Sequence, residues 1–194
     1  MKGRRLLLLV LSLLSVTVLM SASLVRSRDR DSHGDDEFST EIVHLIDEVR
    51  QATADLRDFT GVEDAGYSKF LDCFLNREIG GMGQHYVNGE LVGDDALDPT
   101  QPEALVFQPT ADGDMILVAF EYLVFADVWD RNDEGREPPV LFDQEFHLKT
   151  NIPDTPPVWT LHIWLWTHNS DGMFSDYNPL VSCPADQPIT DMTP

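Results

Sequence analysis

Positive charge is scarce in this chain of 194 residues: 13 Lys and Arg stand against 34 Asp and Glu, a formal net charge of −21. Only Lys2, Lys69 and Lys149 are lysines. Such a surface repels phosphate at every approach, so nucleic acid is excluded as a partner. The sequence lacks a P-loop, a G-x-S-x-G elbow, an H-E-x-x-H pair and a dinucleotide fingerprint, which removes the enzyme classes those motifs announce. It has no internal repeat and no C-x-x-C pair, so a thiol redox role lacks its usual motif. Hydrophobic residues still make up 42% of the chain, enough for an ordinary folded core.

The one long apolar run is N-terminal. Lys2, Arg4 and Arg5 precede residues 6–20, and Ser21, Ala22 and Ser23 follow as small residues of the kind a signal peptidase accepts. This layout is that of a secretory signal peptide, residues 1–23. The alternative is an uncleaved anchor, since residues 6–25 are just long enough to span a bilayer. Both place the rest of the chain outside the cytoplasm, secreted or periplasmic. No membrane contact is expected beyond that segment unless it stays uncleaved. Removing residues 1–23 leaves 10 basic groups against 34 acidic ones, a net −24. Such a balance suits high salt, where screening lengths of roughly 3 Å at 1 M suppress self-repulsion.

In an exported chain the two cysteines, Cys73 and Cys183, read as a structural disulfide. The bridge would close a loop of about 110 residues, worth roughly 4–5 kcal/mol in the chain-entropy model. It also marks the domain. Residues 24–38 are polar and charged and read as a disordered linker, 39–183 as a single domain, and 184–194 as a flexible tail.

Within 39–183, Ser39 is a candidate N-cap. Ile42, Leu45, Ile46, Val49, Ala52, Leu56 and Phe59 follow at three- and four-residue steps, which predicts an amphipathic helix. From Gln84 the period changes to two. Strands are predicted near 84–88, 104–108, 115–126, 140–149 and 158–168. Ala111-Asp112-Gly113-Asp114 makes a hairpin of the second and third. The expected fold is α+β, the N-terminal helix packed on a bent antiparallel sheet, with a small barrel as the alternative.

The last strand is the most informative. Leu161, Ile163 and Leu165 alternate with His162, Trp164, Trp166 and His168, so one face is aliphatic and the other carries imidazoles and indoles. That second face suits a ligand wall, which Asn178 could join, or a second core layer beneath the helix. Glu121 interrupts an almost wholly apolar strand, and a buried carboxylate is costly unless paired, protonated or metal-bound. His85 follows the glycine-rich Gly80-Gly81-Met82-Gly83, which would let backbone approach a ligand closely. His147 lies on a further strand. His85, Glu121, His147 and His162 come from four strands about 4.8 Å apart, so they could converge. Three imidazoles and a carboxylate suit a transition metal such as zinc, iron, copper or manganese. The alternatives are hydrogen-bonded structural histidines and acid/base groups without metal.

Several segments form a set. They are Gly66-Tyr67, Cys73, Gly81-Met82-Gly83-Gln84-His85-Tyr86-Val87-Asn88, Pro102-Glu103-Ala104-Leu105-Val106-Phe107 and Ala119-Phe120-Glu121-Tyr122. Residues 138–142, Phe146-His147, Leu161-His162-Ile163-Trp164-Leu165-Trp166 and 178–183 complete it. Over residues 50–183 this set resembles a group of exported bacterial proteins of unassigned activity. The resemblance implies shared export, a shared bridge and a shared fold, and no activity. Ser170-Asp171-Gly172 departs from the Asn-Pro-x-Gly of that group, at a turn. Three functions follow as expectations: an exported module binding a small ligand or metal, a metal-dependent extracytoplasmic enzyme, and a structural envelope protein without a pocket.

Overall fold

The computed structural model describes residues 38–133 and 135–193. The signal segment and residues 24–37 of the expected linker lie outside the described residues. Helix α1 (Thr40–Ala52) starts where the Ser39 side chain accepts the Ile42 N–H, with Glu41 in its first turn. Nine strands follow: β1 (Ser68–Asn76), β2 (Gly80–Val87), β3 (Ala104–Pro109), β4 (Met115–Phe125), β5 (Val140–Leu141), β6 (Gln144–Glu145), β7 (His147–Lys149), β8 (Val158–Ile163) and β9 (Ile189–Asp191). Short helices α2 (Gly89–Val92) and α3 (Ala126–Trp129) lie in the connections.

Seven strands form one curled, half-barrel sheet in the order β7-β8-β4-β3-β2-β1-β9. Its ends, β7 and β9, do not pair with each other, so the sheet stays open. β5 and β6 make a separate hairpin. The class is α+β. The two faces of the sheet have different tasks. Tyr86, Leu105, Phe107, Phe120, Tyr122, Leu161 and Ile163 point to one face and join Ile42, Ile46 and Val49 of α1 in the main core. The alternate residues, among them His85, Glu121 and His162, point to the other.

Five features depart from the sequence expectations. The helix expected to reach Phe59 ends at Ala52, and single 3₁₀ turns follow at Ala54–Arg57 and Phe59–Gly61. β1 was not foreseen. Its pairing with β2 is irregular between Phe70 and Phe74, with Leu71 at φ 50°, so no clean alternation survives in its sequence. The strand expected over 140–149 breaks at Phe142 and Asp143, both at positive φ (54° and 58°). Phe142 is buried in the main core, and that burial holds a conformation its own preferences oppose. β8 ends at Ile163, because the Trp164 N–H donates to Met173 O and the Trp166 N–H to Val118 O. The segment after Cys183, expected as a loose tail, carries β9, which pairs parallel to β1 and makes the sheet mixed. Cys73 and Cys183 are bonded, tying β1 to the chain just before β9.

Candidate metal centre

Glu121 and His162 are direct cross-strand partners of β4 and β8. His85 reaches them from β2, across β3, on the same sheet face. All three side chains are buried. His85 Nε2 lies 3.3 Å from Glu121 Oε2, and His162 Nδ1 lies 3.4 Å from Oε1. The carboxylate thus stands between two imidazoles, with one ligand atom from each residue within 4.8 Å of the others. Charge-assisted N–H···O bonds are shorter, about 2.7–2.9 Å. An ion with bonds of about 2.0–2.1 Å at tetrahedral angles separates its ligand atoms by about 3.3–3.4 Å, close to each imidazole–carboxylate distance here, although the two imidazoles face different oxygens of Glu121. His85 Nδ1 and both ring nitrogens of His162 are buried without a hydrogen-bond partner. Unpaired buried polar atoms are costly and rare.

Electrostatics sharpen the picture. Burial alone would raise the Glu121 carboxyl, but His162 and His85 outweigh it and hold it below the ordinary carboxylate range. Burial lowers His162 more than the Glu121 charge raises it. The full attraction of Glu121 to His162 requires a protonated imidazole, which the lowered His162 argues against. The centre gathers a buried carboxylate, two imidazoles and orphaned ring nitrogens. One carboxylate and two imidazoles are donors of the kind a divalent transition-metal ion accepts.

His147 does not join the other three. It lies on the edge strand β7 with its side chain 58% exposed, and its Nδ1 is 3.3 Å from Asp176 Oδ1. It pairs with Thr160 of β8, two residues before His162, on the strand beyond the triad. Asp176 occupies the intervening place. Its Oδ1 is 4.0 Å from His162 Nδ1, and its Oδ2 accepts from Lys149 Nζ. Burial raises its carboxyl, and His162, Lys149 and His147 together bring it below the usual range. Asp176 was not a candidate from the sequence, since nothing along the chain shows that it faces His162.

The two tryptophans part company. Trp164 is buried and stacks on His162 at 6.0 Å between ring centroids, with Nε1 donating to Ser175 O. Trp166 crosses to the α1 side, edge-on to Phe120 and beneath the Arg57 guanidinium. Asn178, considered as ligand wall, is fully buried and structural. Its Nδ2 donates to His168 O, its Oδ1 accepts from the Leu180 N–H, and its backbone bridges Gly81. That bridge also corrects the role of the glycine run. A Cβ on Gly80 or Gly81 would lie 2.5 Å from Asn178 O or 2.7 Å from Val181 O, so these glycines admit the chain's own 178–181 segment.

Beside the triad the same face holds a cavity of about 120 Å³. His85 and Glu121 form part of its wall, among mostly aromatic and aliphatic side chains. Among the described residues, no helix is long and apolar enough to cross a membrane. No protein-family model, no curated protein and no solved structure matches the chain.

Proposed function

We propose that this protein is an extracytoplasmic binding module that holds one divalent transition-metal ion between His85, Glu121 and His162. The observation that carries this reading is the buried carboxylate between two imidazoles at metal-ligand spacing, with ring nitrogens left unpaired. Zinc, iron, copper and manganese all accept such a set. Export rests on the N-terminal sequence pattern, and the Cys73–Cys183 bridge is compatible with it.

A metal-dependent enzyme is the second reading, favoured by one observation: Asp176 places another carboxylate next to the triad. Its lowered proton affinity and its bond to Lys149 make it a weak base, which favours binding over hydrolysis.

Elemental analysis of the purified protein, after loading and desalting, tests the proposal. One equivalent of metal is expected in the wild type and in His147→Ala. His162→Ala and Glu121→Gln should lose it while keeping the wild-type circular dichroism spectrum. A folded wild type without stoichiometric metal, or full occupancy in folded His162→Ala, overturns the reading.

A further inference from the structure

The cavity next to the triad has a definite chemistry. Phe74, Met82, Leu123 and Val158 give it an apolar lining, and His85 and Glu121 open the triad to it. Apolar cavities of about 150 Å³ accept a benzene ring, so about 120 Å³ suits a body of one small ring or a short branched chain. Lys149 also lines the cavity. It is one of only three lysines in the chain, and four-fifths of its side chain is buried. Its ammonium bonds Asp176 and has three donors, so one contact leaves capacity for another.

Charge then selects the head group. A dication beside Glu121 leaves one net positive charge at the triad. Lys149 and Asp176 cancel each other. A molecule in the cavity meets positive charge at the triad and an ammonium on the wall. We propose that the cavity binds a small hydrophobic carboxylate, its carboxyl on the metal and its body among Phe74, Met82, Leu123 and Val158. This inference rests on the metal reading above. Three protein ligands leave at least one coordination position for such a group. Without the metal, Glu121 repels the same carboxylate, so binding is conditional on the ion.

Cobalt(II) and benzoate are suitable probes, because a carboxylate entering the coordination sphere changes the visible spectrum of cobalt. Benzoate should shift the spectrum of the cobalt-loaded full chain saturably, and should not bind the metal-free protein. Leu123→Trp fills the cavity and should keep its cobalt but lose the benzoate response. Lys149→Gln, at the cavity wall, should weaken benzoate about tenfold while retaining cobalt. Failure to take up cobalt overturns the metal reading and this inference together. Cobalt uptake without a benzoate response overturns the inference alone. So does an unchanged benzoate affinity in both folded variants.

Discussion

Glu103 shows how much one buried proton can decide. Its side chain is 1% exposed, and its Oε2 accepts the Leu123 N–H of β4 at 3.0 Å. Burial pushes its carboxyl up to about 8, against the Leu123 hydrogen bond and with help from the nearby Asp94 and Asp98 charges. The unfolded chain releases this proton near the ordinary glutamate value, whereas the folded chain holds it until about pH 8. Stability from this group is therefore full below about pH 4.5, falls as pH rises, and levels off above about pH 8. Each pH unit in that window costs about 1.4 kcal/mol, so the loss amounts to a few kcal/mol. Glu103→Gln keeps an acceptor for Leu123 and carries no proton to lose. Thermal unfolding of the two proteins should run close together at pH 5 and diverge by pH 8, with the variant higher. Parallel curves would show that Glu103 ionises in the folded state as easily as in the unfolded one. Glu121 was legible in the sequence because it interrupts an apolar strand. Glu103 was not, because Pro102 precedes it and the pair reads as a loop before β3.

Among the elements, β2 supplies His85 to the site and depends on a glycine to do so. Gly83 has φ +113°, and a Cβ there would lie 2.6 Å from Phe107 O of the neighbouring strand. An L side chain therefore meets both backbone strain and a backbone clash. Gly83→Ala should cost about 2–4 kcal/mol in denaturant unfolding. Because His85 lies two residues along the same strand and face, the variant should also lose metal occupancy at temperatures where it remains folded. Unchanged stability would mean that β2 can shift away from β3 without loss. This strand also shows where sequence reading stopped. The period-two pattern from Gln84 was visible, and so was the alternation of Leu161, His162 and Ile163. Pairing across strands was not visible, because register is a tertiary property fixed by β4 against both β3 and β8. Three of the four expected metal ligands converge because their strands kept that register. His147 does not, because its short edge strand sets it opposite Thr160, with its ring largely in solvent. Trp166 left the site face because backbone bonds to Val118 and Met173 end β8 early. Hydrophobic period carries no information about either event.

Across the whole molecule the imbalance of charge is the dominant long-range force. The Cys73–Cys183 bridge opposes expansion by holding a 110-residue separation closed, but it does not remove the repulsion. Among the described residues, six of the seven Lys and Arg side chains are used locally. Arg50 pairs with Asp47, Lys69 with Asp72, Arg77 with Asp191 and Lys149 with Asp176, while Arg57 and Arg136 lie over Trp166 and Trp129. The remaining carboxylates repel one another through solvent, and only ions in solution can reduce that. Screening lengths fall from about 30 Å at 0.01 M to about 10 Å at 0.1 M and about 3 Å at 1 M. Relief of a few kcal/mol raises the unfolding temperature of a chain this size by roughly 5–10 °C. Melting in a sodium chloride series should therefore show a steep rise between 0.01 and about 0.3 M, then a plateau. The shape of the curve separates two causes. Screening saturates once the screening length is shorter than the distance between carboxylates, whereas general salting-out continues to climb into the molar range. A flat curve at low salt would show that the carboxylates stand too far apart to destabilise the fold, and the acidic surface would then matter for solubility alone.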